Sequence, residues 1–574
     1  MNSRLNGKSK YILVVIIWSF LWILRIVNLD ADVQGYDISC YLPLDEGYYA
    51  MDAIKITRPD LTLKQQIVDT TGIVQWDSAV SCLTTIFCTI SFFLFGNNYY
   101  GLRMSVFFVG TIIAALIYII LHKEKADDVS KCAVLGSMLT SYAFLQACRV
   151  VEPSIIRSLC VIILLYVFYI NNQKGRNGYF ALGICTAMSI ALGYPTNLFI
   201  IAACGCLMIY EVICLQGNFG RLLFRYVCGG ISGYIASEIL CVAIQGRFFI
   251  EDFIRVVLKK EVSRIGISLG SIKCGIFEYV RANCFMYCPI LAVLSIMALL
   301  YCLYSGWVKK ERFRMITALM FFFHFLQSIV TNDFTNRKSI TIFPVILLNI
   351  FFMIKERDEV KSLVGSWPKR VRIISSFLVL IVTVLVFALT TMRILRIESL
   401  DLPEGYKYAI LVFNVISMLL GLLYFWFQKC RNSKYLVVVL LIVSWIPGML
   451  LSYRAIGMMN KTEKETMIEL NELVGENYVL GGFPYSACLY NEIIPLSSVY
   501  DAYLGDPYKI RAQMLLENES VNYYLGYQSV ELIDSWLEGT EYKWVLVEEL
   551  ETDFRFSDRD ADCNNLFLYK KVKK

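Results

Sequence analysis

What most constrains this chain is a succession of apolar runs, most of them about 15–20 residues long, separated by short charged loops. A bilayer core about 30 Å thick takes roughly 20 residues of helix, so runs of this length, repeated along the whole chain, describe a polytopic α-helical membrane protein. Charged residues make up only 18% of the sequence and hydrophobic ones 57%, where a soluble domain carries about 25% charge. That excludes a soluble enzyme. The net charge of +6 is modest and sits in the loops, which marks topology and not nucleic-acid binding. Most of the 19 cysteines lie inside apolar segments, as Cys82, Cys204 and Cys206 do. They act there as small hydrophobes, and no pair of CxxC motifs suggests zinc or an iron-sulfur cluster.

Thirteen spans are expected, near 11–29, 104–121, 132–148, 158–171, 179–194, 196–214, 226–245, 285–305, 315–331, 339–355, 373–391, 408–427 and 435–452. The apolar stretch 78–95 decides the topology. If it lies in the outer interface without crossing, the inner loops hold about 23 Lys/Arg in about 73 residues, against about 18 in about 150 outside, as basic short loops require. If it crosses, there are fourteen spans, and KKERFR (309–314) and WPKRVR (367–372) fall outside. The first arrangement is the better one: amino terminus cytoplasmic, residues 453–574 extracytoplasmic, the protein multi-pass in the plasma membrane. The first run is longer than a signal-peptide core and no cleavage site follows it, so it reads as an uncleaved helix.

The domains expected are a transmembrane part, 1–452, with outer loops 30–103 and 246–284, and an extracytoplasmic α/β domain, 453–574. Within 246–284, FIEDFIRVVLKKEVSRI has the spacing of a helix lying on the membrane. In the tail the pattern is a helix over 464–475, a strand over 478–483, helical stretches at 507–518 and 529–538, then strands KWVLVEE and LFLYKKV. No internal repeat is visible.

Acidic side chains beside spans are rare unless paired or functional. Asp45 and Glu46 follow Pro43, a residue that suits a helix start, where carboxylates are favoured. They fit a solvated helix cap or a general base at the membrane surface. In ACRVVEPSIIR (147–157), Arg149, Glu152 and Arg157 mark helix ends or bring a second carboxylate to the depth of Asp45. Arg337 and Lys338 open a span, and two cations there oppose the helix dipole. They either snorkel to headgroups or bind an anion such as phosphate. Arg103 carries the same two readings. His122 falls on the inner side, and His324, inside an apolar span, reads as a packed core residue.

Together these features are more specific than each alone. LDEGYYAMDAI shortly after the first helix, FFLFGNNYYGLR ending a non-crossing helix, and Arg103 opening the next span resemble the GT-C superfamily of membrane glycosyltransferases. The likeness is to the protein O-mannosyltransferase and aminoarabinose lipid A transferase branch. It continues through RVVEPSIIRSLCVIILLY and NRKSITIFPVILL. Two departures stand out. TTGIVQWDSAV (70–80) replaces a Lys/His-Pro-Pro segment at the interfacial helix, and Gly193-Tyr194-Pro195-Thr196 stands where relatives carry a lysine.

The resemblance implies a polyprenyl-phosphate sugar donor, a lipid, glycan or protein acceptor, membrane lipids as surroundings, and inverting transfer on the outer face. Asp45 would be the base. Glu46 and Glu152 would position the acceptor or a divalent cation, the one cofactor implied. Arg103, Arg337 and Lys338 would bind the donor phosphate, with Arg149 in support. A lipid-linked-sugar flippase explains many spans but predicts repeats and mid-membrane charges. A polysaccharide polymerase or ligase does not predict an acidic pair just after the first helix.

Overall fold

In the computed structural model the apolar runs are helices. Apart from isolated positions, the structure describes residues 25–30, 43–58, 81–174, 178–194, 197–254, 289–331, 336–356, 365–396, 404–426, 445–450, 462–475, 478–480, 494–496, 521–526, 539–551 and 565–574. Helices are numbered in chain order: α1 (Pro43–Thr57), α2 (Cys82–Phe95), α3 (Tyr99–Lys123), α4 (Asp128–Thr140), α5 (Tyr142–Ala147), α6 (Pro153–Gln173), α7 (Tyr179–Met188) and α8 (Phe199–Leu215). There follow α9 (Phe219–Gln245), α10 (Phe249–Phe253), α11 (Pro289–Lys309), α12 (Arg312–Val330), α13 (Phe343–Lys355), α14 (Lys369–Arg396), α15 (Glu404–Trp426) and α16 (Thr462–Val474). Among the described residues six helices are long and apolar enough to cross a membrane, and several shorter apolar ones accompany them. The protein is a multi-pass membrane protein.

Contacts divide the chain into two compact units: residues 1–27, 107–149 and 153–457, and residues 28–106, 150–152 and 458–574. In the first unit the centre is α6 and α13. Every residue of α13 from Phe343 to Ile354 is buried, as is most of α6, which fits helices that are apolar on all sides. α11, α12 and α13 pack on one another, α12 also against α8, and α4 against α13. α9 and α14 are largely unburied within the protein, as expected of helices whose solvent is lipid.

Three local features depart from unbroken spans. The run 132–148 is two helices, divided at Ser141, whose side chain accepts from the Phe144 amide at 3.5 Å. The run 179–194 ends as a π-helical turn, Ser189–Gly193. At 13 residues α13 spans only about 20 Å. A 3-10 turn, Asn336–Thr341, precedes it and adds about 12 Å.

In the second unit α2 has 14 residues, about 21 Å, too short for a bilayer core. It starts on Ser81, which accepts from the Thr84 amide at 3.0 Å, and ends at Gly96, φ 85. It packs against α1. In the tail, α16 matches the sequence expectation and a five-stranded sheet runs β2-β1-β3-β5-β4. Its strands are β1 (Tyr478–Leu480), β2 (Ile494–Leu496), β3 (Val521–Gly526), β4 (Tyr542–Glu551) and β5 (Asn565–Lys573). β1 is parallel to β2 and β3; β3–β5 and β4–β5 are antiparallel. Lys464 of α16 lies 3.6 Å from Asp30, which follows the first apolar run. The stretch 507–518, and nearly all of the expected surface helix beyond α10, lie outside the described residues.

Candidate active site

The first turn of α1 carries Asp45 and Glu46. Glu46 is fully buried, a cost in desolvation that only a partner of opposite charge and good hydrogen bonds can offset. Arg103 supplies both. Its Nε donates to the two carboxylate oxygens at 3.2 and 3.1 Å, and its Nη2 donates to Oε2 at 2.7 Å. Nη1 donates to the Leu29 carbonyl at 3.0 Å. The guanidinium also lies over the Tyr99 ring, 4.8 Å from its centre. The Val151 amide donates to Glu46 Oε1 at 2.9 Å. One carboxylate thus ties together the end of the first apolar run, the start of α3 and the segment 150–152.

This placement bears on two sequence expectations. Arg103, expected at a donor phosphate, is 1% exposed and committed to Glu46 and Leu29. Glu46, expected to position acceptor or cation, is saturated by Arg103 and Val151. Asp45 is one residue away in the same turn. Glu152, next to Val151, is buried beside this lock.

Arg149 belongs to the helical unit. Its Nη1 donates to the Val27 carbonyl at 2.8 Å and to the Arg25 carbonyl at 3.4 Å. It caps carbonyls at the end of the first span, groups that have no intrahelical partner. Arg337 and Lys338 lie in the 3-10 turn before α13. That turn packs against α5 and α6, the two helices that flank the Arg149–Glu152 loop.

A polar cluster of α6 and the α7–α8 break was only half legible. Arg157, buried in the second turn of α6, donates from Nε to Asn197 Oδ1 at 2.9 Å. Asn197, also buried, donates to the Ser189 carbonyl and hydroxyl at 3.2 and 3.1 Å. The Arg157 guanidinium lies 6.0 Å from the Tyr194 ring centre. The sequence singled out Arg157 but missed Asn197, although an asparagine just after a Gly/Pro break in an apolar run is itself a signal. Beside this cluster an apolar groove of about 340 Å³ runs along α7, α9 and α10, lined by Ile190, Leu198, Tyr226, Tyr234 and Phe249 among others. His324 is buried on α12, edge-on to Phe199 at 5.0 Å.

As for a metal, no three His, Cys, Asp or Glu side chains converge among the described residues. Glu46, one of the two carboxylates expected to hold a divalent cation, is paired with Arg103.

No known family profile matches the sequence, and no curated protein matches it. Solved structures do. The chain shares its fold with them. ArnT from Cupriavidus metallidurans bound to undecaprenyl phosphate superposes with a TM-score of 0.58 at 11% identity, covering 98% of each chain. The same protein in the apo state gives 0.53, again at 11% identity and 98% of both chains. At this identity the likeness establishes the fold.

Proposed function

We propose that the protein is an inverting glycosyltransferase that moves a sugar from a polyprenyl-phosphate donor to an acceptor hydroxyl at the outer membrane face. The observation that carries the reading is the Glu46 lock. It fixes the helix turn bearing Asp45 and docks the 150–152 segment beside it through the Val151 amide. A second carboxylate, Glu152, is thereby held near the first along buried backbone, as acceptor positioning requires. The undecaprenyl phosphate bound by the fold's neighbour ArnT supports the donor class.

In this reading Asp45 takes the proton of the acceptor hydroxyl as the oxygen attacks the anomeric carbon from the face opposite the phosphate. The new C–O bond forms as the bond to the phosphate oxygen breaks, and the electron pair leaves with the polyprenyl phosphate. A carboxylate suffices as base because bond breaking runs ahead and the hydroxyl becomes acidic late. With Arg103 engaged by Glu46, stabilising the leaving phosphate falls to Arg337 and Lys338 in the turn before α13. The apolar groove at α7, α9 and α10 suits the isoprenoid tail.

The test is Asp45→Asn, which keeps shape and removes the base. Purified full-length protein would be given undecaprenyl-phosphate hexoses and pentoses, and release of undecaprenyl phosphate followed. We expect the variant to lose about 10²–10⁴-fold in rate with unchanged thermal stability. Transfer close to the unsubstituted rate would remove Asp45 from the mechanism.

A further inference from the structure

Glu238 is an acidic residue in an otherwise apolar stretch of α9, YIASEILCVA (234–243). The helix has 27 residues, about 40 Å, which exceeds a bilayer core by about 10 Å. Glu238 stands seven residues before its end, close to one edge of the hydrocarbon layer. Its neighbours Ile235, Ile239 and Leu240 are exposed, and in a membrane-spanning helix what they meet is lipid. A carboxylate is rare and costly in such surroundings unless it has partners.

The partners tie α9 to the helix that follows it. Oε2 accepts from the Phe249 amide at 2.7 Å and Oε1 from the Ile250 amide at 3.2 Å. The Tyr234 hydroxyl, one turn earlier in α9, donates to Oε1. The two amides belong to the first turn of α10, where a helix has no acceptor of its own to offer. The chain turns back to reach them at Gly246, φ 71, a left-handed position that favours glycine. With five residues, α10 is too short to hold a helical shape by itself. Glu238 is a latch that fixes it against α9.

What the latch holds in place is one wall of the apolar groove of about 340 Å³ along α7, α9 and α10. Phe249, Ile250 and Phe253 of α10 line it, with the two rings 5.9 Å apart. The rest of the lining comes from α7 and its π turn, from Leu198, and from Tyr226 and Tyr234 of α9. Tyr234 and Ile250 are exposed, so the groove is open to the surrounding lipid. One part of it, at Ile190 and Leu198, adjoins Ser189 and Asn197, which are bonded to each other and through Asn197 to Arg157. A guanidinium beside an apolar groove that opens to the bilayer matches an amphiphile with an anionic head and a long apolar tail.

We propose that Glu238, braced by Tyr234, is a positioning residue for the lipid donor. Through α10 it sets the wall that holds the isoprenoid tail, and so governs donor affinity without touching the reacting atoms. For its ligand the inference rests on the transferase reading, and the test keeps the two apart.

Full-length protein in detergent would be titrated with undecaprenyl phosphate, with binding read by native mass spectrometry. Transfer would be followed with the undecaprenyl-phosphate sugar as the varied substrate. Glu238→Ala should weaken undecaprenyl phosphate binding and raise the donor KM by about tenfold each, as loss of an apolar wall implies. Its kcat should stay within about twofold of wild type, since ground-state and transition-state binding fall together. Glu238→Gln, whose side-chain oxygen still accepts from the amides, should recover most of the affinity. Phe249→Ala and Phe253→Ala remove the wall and leave the latch, and should weaken binding as Glu238→Ala does. If Glu238→Ala binds undecaprenyl phosphate as tightly as wild type, or lowers kcat with KM unmoved, the latch proposal fails while the transferase reading stands. If Glu238→Ala does not fold, the phenylalanine variants decide, and wild-type affinity in both overturns the proposal. If wild-type protein binds no undecaprenyl phosphate, both readings fail. Asp45→Asn should bind undecaprenyl phosphate normally and lose kcat, the opposite split.

Discussion

At the residue scale, the most informative side chain is Glu46, and its part could not be read from the chain alone. LDEG presents two adjacent carboxylates, and nothing in the sequence tells which faces a cation and which faces a cavity. Burial settles the point for Glu46, because no exposed alternative exists for a carboxylate bonded to Arg103 at 2.7 Å and to the Val151 amide at 2.9 Å. Removing one member of such a pair leaves the other charged and unsolvated. We therefore expect Glu46→Ala to destabilise the protein by about 3–5 kcal/mol, measured as the loss of folded protein on heating in detergent. Glu46→Gln, which keeps two polar atoms in the pocket, should cost less. Asp45→Asn should cost nothing measurable. Equal destabilisation by Glu46→Ala and Asp45→Asn would show that the two carboxylates share one structural task.

At the scale of elements, α7 and α9 pack more closely than the larger side chains elsewhere would allow. A Cβ on Gly183 would lie 2.1 Å from the Tyr226 carbonyl oxygen, and one on Gly229 would lie 2.0 Å from that of Phe180. Gly233 meets the Ile184 carbonyl at 2.7 Å. Helices in lipid gain little from apolar burial and associate through such close backbone approach. Gly183→Ala or Gly229→Ala should force the pair apart at about 1–3 kcal/mol each, lowering the melting temperature. Gly230→Ala, where a Cβ meets nothing within 4 Å, should be neutral or slightly stabilising, because alanine is the better helix former. The same contrast shows what the sequence can and cannot convey. Gly229 and Gly233 are four apart and visible as a small-residue face, whereas their partner Gly183 is known only once the helices are paired. Apolar runs marked the helices of the bundle because length and composition alone decide what can sit in lipid. The break at Ser141 and the π turn at Ser189–Gly193 are tertiary choices, invisible to hydropathy. In the tail, the long strands β4 and β5 were legible. β2, three residues including Pro495, and β3 were missed, since such short strands are defined by the neighbours they pair with.

At the scale of the whole molecule, the property with most consequence is sidedness. A transferase whose base follows the first helix works only if that end of the bundle faces the compartment where donor sugar is displayed. The argument for it is charge: α3, α11 and α13 each end on lysine, at Lys123, Lys309 and Lys355, and basic short loops stay cytoplasmic. Two engineered cysteines test the arrangement. Lys573 in β5 has a side chain 69% exposed, and Lys310 lies exposed between α11 and α12. The described native cysteines are all buried or half-buried, so the unsubstituted protein sets a usable background. A membrane-impermeant maleimide applied to intact cells should label Lys573→Cys, and should reach Lys310→Cys only after permeabilisation. The reverse pattern would put the Asp45 end inside. Polyprenyl-phosphate sugars on the outer leaflet would then be out of reach.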